Sequence, residues 1–575
     1  MTRPDRTVLS TAGLAGSIFV FVWPQLSAWI RGASAWYPLV AVVFTLFMGG
    51  IVATWPRRRH GSSPGIASTT PLTLIVAIVA AAVLVAAIYR WVHVLAWQPY
   101  GADMLIVIRE ATRRFLNGRT PYTTYRTYDA PWNIAMPYGP ALWAPFLIPQ
   151  LLHLDFRFLT IVGELFVPLW CGVAAMVESA RGRFAGAAAW LVVLAALVLA
   201  FDIQGFTLIG HTPVYWPLLP LFAAVTWRSQ WVPAACLLGI LVVARTTMVA
   251  VVPVFLMAAW ATDRRRFTLV LAVLAITISL AVAPFIVWDA HAVWDSMVLS
   301  YPRVMKEAVW PVLARSGMET IGLTEWLIEQ HREALVVPAQ LLVMTGVYGT
   351  TWFAIRRGAA PLPWMALALF AFSMTTLYPV HYLYYDVLLL LVSGAIVETL
   401  GTEPVTMAAR PWLASVTALI AVLVVAVQGL LPTSPHVAAG EDSPRQSLRT
   451  GFAAAESDGQ RRFSWIVGHE ATIVLPRRSA NAADIVLTAQ SPFGGGDATQ
   501  TMTALLNGTL LAHVALVPGW QEIRLPAARS TWWIGFNQLQ LAFSSTVSPR
   551  DVGAGDDPRP LALGLSRVDV TPRQE

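Results

Sequence analysis

Long apolar runs recur along most of this chain, and they constrain its fold more than any other feature of the sequence. Runs such as residues 71–97 and 267–288 reach the roughly 20 residues that an α-helix needs to cross a ~30 Å hydrocarbon core. Of the 575 residues, 56% are hydrophobic and 12% are charged, whereas soluble domains carry about 25% charged residues. Because backbone polar groups must be satisfied inside a bilayer, the sequence predicts a polytopic α-helical membrane protein.

The expected spans and the basic clusters between them predict a topology. The sequence indicates about 13 transmembrane helices, at residues 8–30, 36–56, 71–97, 157–178, 184–201, 214–228, 231–246, 247–262, 267–288, 334–356, 361–379, 386–400 and 411–431. With the N-terminus in the cytoplasm, every basic cluster falls on the cytoplasmic side, as the positive-inside rule requires. This topology requires that residues 138–153 enter the membrane from the outer face and return without crossing it. The segment contains three prolines, which favour such a break.

This topology places the loops rich in Asp, His, Tyr and Trp, and everything after residue 431, on the extracytoplasmic side. We therefore expect a multi-pass protein of a bacterial inner membrane whose working surface faces outward. The net charge of +7 is explained by the orienting clusters, so no nucleic-acid partner is expected. Cys171 and Cys236 lie inside apolar runs and predict no disulfide framework.

The chain divides into four predicted regions. Residues 1–70 are interpreted as two N-terminal transmembrane helices and a basic cytoplasmic loop, with no clear signal cleavage site. Residues 71–431 form the main transmembrane domain, and 432–450 form a linker that contains Pro and Ser. Residues 451–575 hold short β-branched runs and the hairpin signal Asn507-Gly508, which predict an extracytoplasmic β-sandwich or jelly roll.

A carboxylate follows the span 71–97, close to the expected outer headgroup plane. In a helix, Asp103, Val107, Glu110 and Arg114 would share one face. Asp is a good N-cap residue, and capping alone would explain Asp103. The alternative is a general base that takes a proton from an attacking hydroxyl, and the two roles are compatible.

Ionisable residues inside the expected spans form a second set of candidates: Arg90, His93, Glu164 and Arg245. Such groups are costly in a membrane and usually face the bundle interior. One explanation is structural ion pairing, for example of Arg90 or Arg245 with Glu164. The other is binding of a lipid phosphate, for which the planar, permanently charged guanidinium is suited. Because the spans 231–246 and 247–262 are short, Arg245 should lie recessed below the outer surface.

Residues 378–386 (YPVHYLYYD) are the densest polar and aromatic stretch of the membrane half. Tyrosines often form interfacial belts, and a histidine there is often simply hydrogen-bonded. Alternatively, Tyr382 and Tyr385 hold a sugar while His381 donates to a phosphate oxygen. His211 is a weaker candidate of the same kind. The sequence contains no HExxH, paired-Cys, Walker or Rossmann motif, so no cofactor is predicted, and assistance by a divalent metal is left open. Because no nucleotide-sugar site is indicated either, a sugar donor should arrive through the lipid phase.

Three elements between residues 71 and 400 resemble a known superfold: Asp103 after an outward span, the run Asn117-Gly118-Arg-Thr-Pro-Tyr122, and Met136-Pro-Tyr138-Gly-Pro. Together they resemble the GT-C superfold of polyprenyl-phosphate-sugar glycosyltransferases, and the chain looks most like glycosyltransferase family 87. The family includes polyprenyl-phosphate-mannose α-mannosyltransferases. The chain departs from the family pattern at His211, in the turn that is usually Gly-Gln-x-Asn, and at Arg245, where a lysine is usual.

The resemblance implies an inverting transfer of a monosaccharide from a polyprenyl-phosphate donor to a cell-envelope glycolipid or polysaccharide, with Asp103 as general base. Arg245, His381 and Arg90 are the expected phosphate ligands. The expected substrate contacts are Glu110, Tyr138, His211, Tyr382 and Tyr385, and the candidate glycan contacts of the β-sandwich are Trp465, Trp520, Trp532 and Trp533, for which core packing is the alternative. Two other functions remain open: a transporter or flippase of lipid-linked saccharides, and a non-catalytic glycan-binding scaffold in contact with membrane lipids.

Overall fold

The computed structural model describes residues 71–90, 103–126, 133–199, 212–311, 322–380, 382–401, 409–439, 448–492, 500–553 and 555–573. The predicted spans 8–30 and 36–56, together with His93, His211 and His381, lie outside the described residues. The chain forms two compact units. The helical unit comprises Met1–Ala87, Ala102–Leu147 and Leu159–Ala421, and the β unit comprises Ile88–Gly101, Ile148–Phe158 and Val422–Glu575.

Sixteen α-helices are numbered along the described residues. They are α1 Pro71–Arg90, α2 Asp103–Leu116, α3 Pro140–Trp143, α4 Leu147–Leu152, α5 Arg157–Ala180, α6 Phe184–Leu199, α7 Leu218–Trp227, α8 Trp231–Ala244, α9 Val252–Thr262, α10 Phe267–Trp294, α11 Ser300–Val304, α12 Leu323–Glu329, α13 Val336–Arg356, α14 Pro361–Thr375, α15 Leu383–Leu400 and α16 Ala409–Leu430. Short 3₁₀ helices connect several of them, notably Pro213–Tyr215 before α7 and Thr246–Val251 between α8 and α9. Two short antiparallel strands, β1 Thr124–Arg126 and β2 Asn133–Ala135, follow α2.

The helices lie where the apolar runs predict them, and many are long enough for a bilayer. Within the described residues, six helical segments combine the length and hydropathy of a membrane span: Pro71–Arg90, Arg157–Ala180, Phe267–Val309, Glu333–Arg356, Leu383–Leu400 and Leu413–Leu430. A helical membrane protein with C-terminal β-sheets is therefore confirmed. The count of 13 crossings is not, because other predicted spans form apolar helices of 10–17 residues or lie outside the described part of the chain.

Residues 140–152 form a broken helix. Helix α3, a 3₁₀ turn Ala144–Phe146 and α4 follow one another, and proline stands at the start of α3 and of the 3₁₀ turn. Proline starts a helical turn readily but removes a backbone donor and clashes with the preceding turn, which explains the break. At 1.5 Å per residue the whole segment spans only about 20 Å, less than the bilayer core. Its return to the outer face remains a prediction.

Helix α2 ends in a Schellman motif. Gly118 adopts a φ of +67°, and the N–H groups of Gly118 and Arg119 donate to the carbonyls of Phe115 and Arg114 at 3.0 and 2.9 Å. This left-handed position favours glycine and satisfies carbonyls that a helix end leaves free. The motif turns the chain sharply toward Tyr122.

The C-terminal region is an antiparallel β-sandwich, as predicted. Its strands are β3 His436–Ala438, β4 Leu448–Thr450, β5 Phe452–Ser457, β6 Arg462–Val467, β7 Glu470–Arg477, β8 Ala483–Ser491, β9 Thr501–Leu506, β10 Thr509–Ala515, β11 Gly519–Ala527, β12 Gly535–Phe543 and β13 Leu561–Pro572. One sheet has the order β10-β9-β12-β7-β4, and the other has β11-β8-β13-β6-β5 with β3 on β13. Inward-facing Ile473, Ile485, Leu539 and Leu563 are fully buried between them. Asn507 and Gly508 both have positive φ and form the tight turn between β9 and β10.

The β unit includes a segment from far upstream in the chain. Leu154 forms a parallel bridge with Ile534, and the Asp155 N–H donates to the Ile534 carbonyl at 3.0 Å. Phe156 stacks on Trp533 with ring centroids 5.4 Å apart. A Cβ at Gly535 would lie 2.8 Å from the Asp155 Cβ, so glycine allows this close approach. Residues 148–158 are thus part of the sandwich, which the sequence did not predict.

Candidate functional site

Arg245 lies at a break between two helices of the helical unit. Helix α8 ends at Ala244, and Arg245 takes an extended backbone conformation (φ −139°, ψ 105°) before the 3₁₀ turn begins. Its N–H still donates to the Leu241 carbonyl at 2.8 Å, and its carbonyl accepts from the Met248 N–H at 2.9 Å. The break therefore leaves the Arg245 backbone satisfied while it turns the side chain away from the helix axis.

A buried carboxylate holds one edge of the Arg245 guanidinium. Asp386 is 2% exposed, and its Oδ2 lies 3.6 Å from Arg245 Nε. Its Oδ1 accepts hydrogen bonds from the Tyr215 hydroxyl at 2.6 Å and the Trp216 indole N–H at 2.9 Å. Asp386 lies in the first turn of α15, where the helix dipole favours a negative charge. Together these contacts compensate the cost of burying a carboxylate.

Two tyrosines frame the other sides of the guanidinium. The carbon at its centre lies 5.7 Å from the Tyr382 ring centroid, and the Tyr138 phenol is close enough to interact with it electrostatically. Tyr138 is placed by its neighbour Gly139, because a Cβ there would come within 2.0 Å of the Val243 carbonyl oxygen. The close contact between Gly139 and the end of α8 therefore brings Tyr138 to Arg245.

The geometry leaves the tip of Arg245 available to an anion. Its side chain is 13% exposed, and among the described residues no acceptor forms a hydrogen bond with its terminal Nη atoms. Arginine can present two parallel N–H donors to a phosphate or carboxylate. Asp386 lies beside the Nε edge at an ion-pair distance of 3.6 Å, and the two facing atoms, Arg245 Nε and Asp386 Oδ2, form no hydrogen bond within the described residues.

An aromatic cluster supports this part of the helical unit. Trp143 packs edge-to-face against Phe115 and Phe285, with centroids 5.3 and 5.5 Å away. Tyr122 packs on Phe285, also at 5.5 Å. The Trp143 indole N–H donates to the Tyr122 hydroxyl, which donates in turn to the Tyr138 carbonyl, both at 3.4 Å. Burial raises the pKa of the Tyr122 phenol well above its usual range, so it stays protonated and donates. The cluster connects α2, α3 and α10.

The structure brings some predicted site residues together. Arg245, Tyr138 and Tyr382 share one site, and Tyr385 is fully buried one residue before Asp386. Arg245 pairs with Asp386 and not with Glu164, which is 3% exposed in α5.

Other predicted residues lie elsewhere or are not described. Asp103 is the first residue of α2, and its side chain lies outside the described part of the structure. Glu110 is half-exposed and pairs with Arg113 at 3.0 Å. Arg90 ends α1 and belongs to the β unit. Among the described residues, no group of three or more His, Cys, Asp or Glu is arranged to hold a metal.

The sequence interpretation missed Asp386, Tyr215 and Trp216 as site residues. Asp386 ends the stretch 378–386, and Tyr215 and Trp216 lie four and five residues after the candidate His211. The available signal was a lone aspartate directly before an apolar helix, since a buried carboxylate requires donors.

The tryptophans of the β unit occupy different environments. Trp532 and Trp533 are 0% and 4% exposed; Trp532 belongs to the core of the sandwich, and Trp533 is covered by Phe156. The Arg477 guanidinium packs 4.2 Å from the Trp532 ring centroid, and burial lowers the pKa of Arg477 to about 10. Trp520 and Trp465, by contrast, are half-buried and lie on the outward face of the sheet that contains β11.

Trp520 and its neighbours form an outward aromatic platform, defined by Trp520, Phe463 and Trp465. Phe463 lies edge-to-face between the two indoles, with centroids 5.5 and 5.4 Å away.

The Trp520 indole N–H donates to Asp458 at 3.0 Å, and the Arg461 guanidinium packs 5.0 Å from the Trp520 ring centroid. Backbone N–H groups of Arg461 and Gln460 lower the pKa of Asp458, so it remains an ionised acceptor. A cleft of about 410 Å³ adjoins Trp520.

Comparisons with known proteins give weak likenesses. No protein-family model and no curated protein matches the sequence, so the resemblance to glycosyltransferase family 87 is not supported. Among solved structures, the arabinosyltransferase EmbB from Mycobacterium smegmatis matches 94% of this chain and 68% of its own, with 13% identity and a TM-score of 0.18. A GH26-CBM35 β-(1,4)-mannanase of Podospora anserina matches 25% of this chain, with 9% identity and a TM-score of 0.16. This chain covers 28% of that mannanase.

A family 35 carbohydrate binding module from an environmental isolate matches 24% of this chain and 92% of its own, with 14% identity and a TM-score of 0.15. At these TM-scores the activity has to be argued from the site itself.

Replacing Asp386 by Asn tests the buried pair. The Tyr215 and Trp216 donors keep an acceptor, but the charge opposite Arg245 is lost and an amide N–H₂ replaces an oxygen. Removing one partner of a buried ion pair costs about 3–5 kcal/mol, so we expect a clear drop in the thermal unfolding temperature in detergent. Asp263→Asn is the matched control, because Asp263 is half-exposed and pairs with Arg266 at 3.7 Å. Equal shifts in the two variants would contradict a structural role for the Arg245–Asp386 pair.

Proposed function

We propose that this protein is a membrane glycosyltransferase that moves a monosaccharide from a polyprenyl-phosphate donor to a cell-envelope glycolipid or polysaccharide. The observation that carries the proposal is the Arg245 guanidinium, which lies at a helix break beside the buried carboxylate of Asp386 and whose terminal N–H donors meet no acceptor among the described residues. In a polyprenyl-phosphate donor the phosphate lies at the membrane surface while the hydrocarbon chain stays in the bilayer. Polyprenyl-phosphate donors therefore suit both features of the protein: the phosphate suits the arginine site, and the lipid chain suits the apolar helices.

Arg245 would bind the donor phosphate and stabilise the charge that grows on it as the sugar leaves. A preorganised cation in a site poor in water does this without rearrangement at the moment of reaction. Tyr138 and Tyr382 flank the guanidinium and would define the space for the phosphate or the first sugar. His381, the neighbour of Tyr382 in the chain, and Arg90 are proposed as further phosphate contacts.

Asp103 is proposed as the general base. The acceptor hydroxyl gives its proton to the Asp103 carboxylate, and its oxygen attacks the anomeric carbon. The bond from that carbon to the phosphate oxygen breaks, and its electron pair leaves with polyprenyl phosphate. Attack from the side opposite the leaving group inverts the anomeric configuration. The buried face of α2, with Leu105, Val107 and Ile108 at 0% exposure, anchors the helix that begins at Asp103.

The remaining predicted contacts are assigned to sugar binding. Tyr385, Glu110 and His211 are proposed to contact the donor sugar or the acceptor. In the β unit, the aromatic platform is proposed to bind an acceptor glycan, because indole rings on an open sheet face offer flat apolar surfaces beside the charged groups of Asp458 and Arg461. Trp532 and Trp533 are not part of this platform, since both are buried.

Replacing Arg245 tests the phosphate site. In nanodiscs, we expect Arg245→Gln to weaken binding of a polyprenyl-phosphate monosaccharide by roughly 10- to 100-fold, the loss expected for one or two charge-assisted hydrogen bonds. Arg245→Lys keeps the charge opposite Asp386 but lacks the planar fork, so an intermediate loss is expected. Binding is measured by native mass spectrometry, and the binding of uncharged polyprenol should be the same in the variants and the parent.

The control for this series is Arg228→Gln, because Arg228 is an exposed arginine that caps the end of α7. If the Arg228 and Arg245 variants bound the donor equally well, the phosphate assignment would be wrong.

Replacing Asp103 tests the chemical step. Asp103→Asn should bind the donor like the parent protein but transfer sugar at least about 100-fold more slowly, since a positioned general base contributes roughly 10²- to 10⁴-fold. Product formation from defined polyprenyl-phosphate sugars is followed by mass spectrometry, with Asp263→Asn as the control. Parental transfer by Asp103→Asn would eliminate this residue as the base. Movement of donor lipid between leaflets without product would instead indicate a flippase, and glycan binding alone would indicate a scaffold.

Replacing Trp520 tests the platform. Trp520→Ala in the full-length protein should migrate faster than the parent through gels containing mannan or arabinan, with roughly tenfold weaker retention, since a stacked indole buries 150–250 Å². Leu510→Ala is the control, because Leu510 is an exposed apolar residue on the other sheet. Unchanged retention of Trp520→Ala in a gel that retains the parent would exclude the platform as the binding surface.

A further inference from the structure

A second basic cleft lies in the helical unit, away from Arg245. It has a volume of about 450 Å³ and lies where α8 and α14 begin and where α9 and α13 end. Its lining residues include Trp231, Trp260, Arg264, Trp352, Arg356 and Pro361. None of the described residues that line it is acidic. We call this the Arg264–Arg356 cleft.

Both arginines of the cleft are held by aromatic rings. The guanidinium of Arg264 lies 5.4 Å from the Trp260 ring centroid, and that of Arg356 lies 5.5 Å from the Trp352 centroid. In each pair the arginine follows the tryptophan by four residues. The indoles limit the rotamers of the two cations, while the cation–π contacts leave the guanidinium edges free to bind an anion.

Two further features add donors to the cleft. Helices α8 and α14 start there without a side-chain cap on their first N–H groups, and the start of a helix carries partial positive charge. Trp231, the first residue of α8, is 5% exposed, and its indole N–H meets no acceptor among the described residues. The nearest carboxylate in sequence, Asp263, is engaged by Arg266.

The cleft and the Arg245 site lie at opposite ends of α8. That helix runs from Trp231 to Ala244, so the two sites are separated by about 20 Å along its axis. The cleft includes apolar surface, since its lining residue Trp260 is 39% exposed. Such a combination of exposed rings with fixed cations fits a ligand that carries both a phosphate and a hydrocarbon chain.

We propose that the Arg264–Arg356 cleft binds the phosphate of an anionic phospholipid. The headgroup phosphate contacts Arg264 and Arg356, and an acyl chain lies against Trp260. This site does not take part in glycosyl transfer, and its occupancy is independent of the proposed donor site.

The experiment compares two charge-matched double variants of the full-length protein. Arg264→Gln with Arg356→Gln removes the cleft cations, whereas Arg265→Gln with Arg357→Gln removes the neighbouring exposed arginines that do not line the cleft. Delipidated protein is titrated with phosphatidylglycerol or phosphatidylcholine in detergent, and bound lipid is counted by native mass spectrometry. The first variant should hold phosphatidylglycerol on the order of tenfold more weakly, and the second should match the parent.

Each other result would overturn the proposal. Equal losses in both variants would mean that surface charge alone attracts the lipid. Equal binding of phosphatidylcholine would mean that the lipid's negative charge is not recognised, and displacement by millimolar inorganic phosphate would mean that a free anion is the ligand. Thermal unfolding of both variants, measured in parallel, shows that the comparison is made between folded proteins.

Discussion

The helical unit depends on one electrostatic requirement: a buried cation needs a buried anion. Arg245 can lie inside an apolar bundle because Asp386 faces it, and Asp386 can lie there because Tyr215 and Trp216 donate to it. Satisfying that requirement brings together the end of α8, the start of α15 and the turn before α7. These are also the points where the helices are interrupted, so the pair stabilises the places where backbone regularity is lost.

Features that depend on local sequence were predictable. Helix positions followed apolar runs, the break at residues 140–152 followed its prolines, and the hairpin followed Asn507-Gly508. The shortness of two predicted spans pointed to the junction at Arg245, where the structure has a break between α8 and the 3₁₀ helix. The partner of Arg245 was not predictable, because Asp386 is more than a hundred residues away in the chain and tertiary packing decides which carboxylate Arg245 meets. The thirteen predicted crossings are not confirmed, because some of the predicted spans form apolar helices of 10–17 residues and others lie outside the described residues.

The environments of the tryptophans also depend on tertiary contacts that the local sequence does not reveal. Trp520 is half-buried on an outward sheet face, whereas Trp532 is enclosed beside Arg477 and Trp533 lies under Phe156. Composition alone could not separate them, because an aromatic ring suits a core and a sugar platform equally well. The register of β11 against β8 decides the first case, and the upstream segment that covers Trp533 decides the second.

That upstream segment has a consequence for how the protein is made. Ile534 pairs with Leu154, so about 380 residues must be synthesised between the two halves of one structural element. At ribosomal rates of roughly 5–20 residues per second, residues 148–158 wait about 20 to 80 seconds for their partners. During that interval Phe156 lacks the ring on which it stacks. The C-terminal sandwich therefore completes an early part of the chain, and a truncation before it would leave that part permanently unfinished.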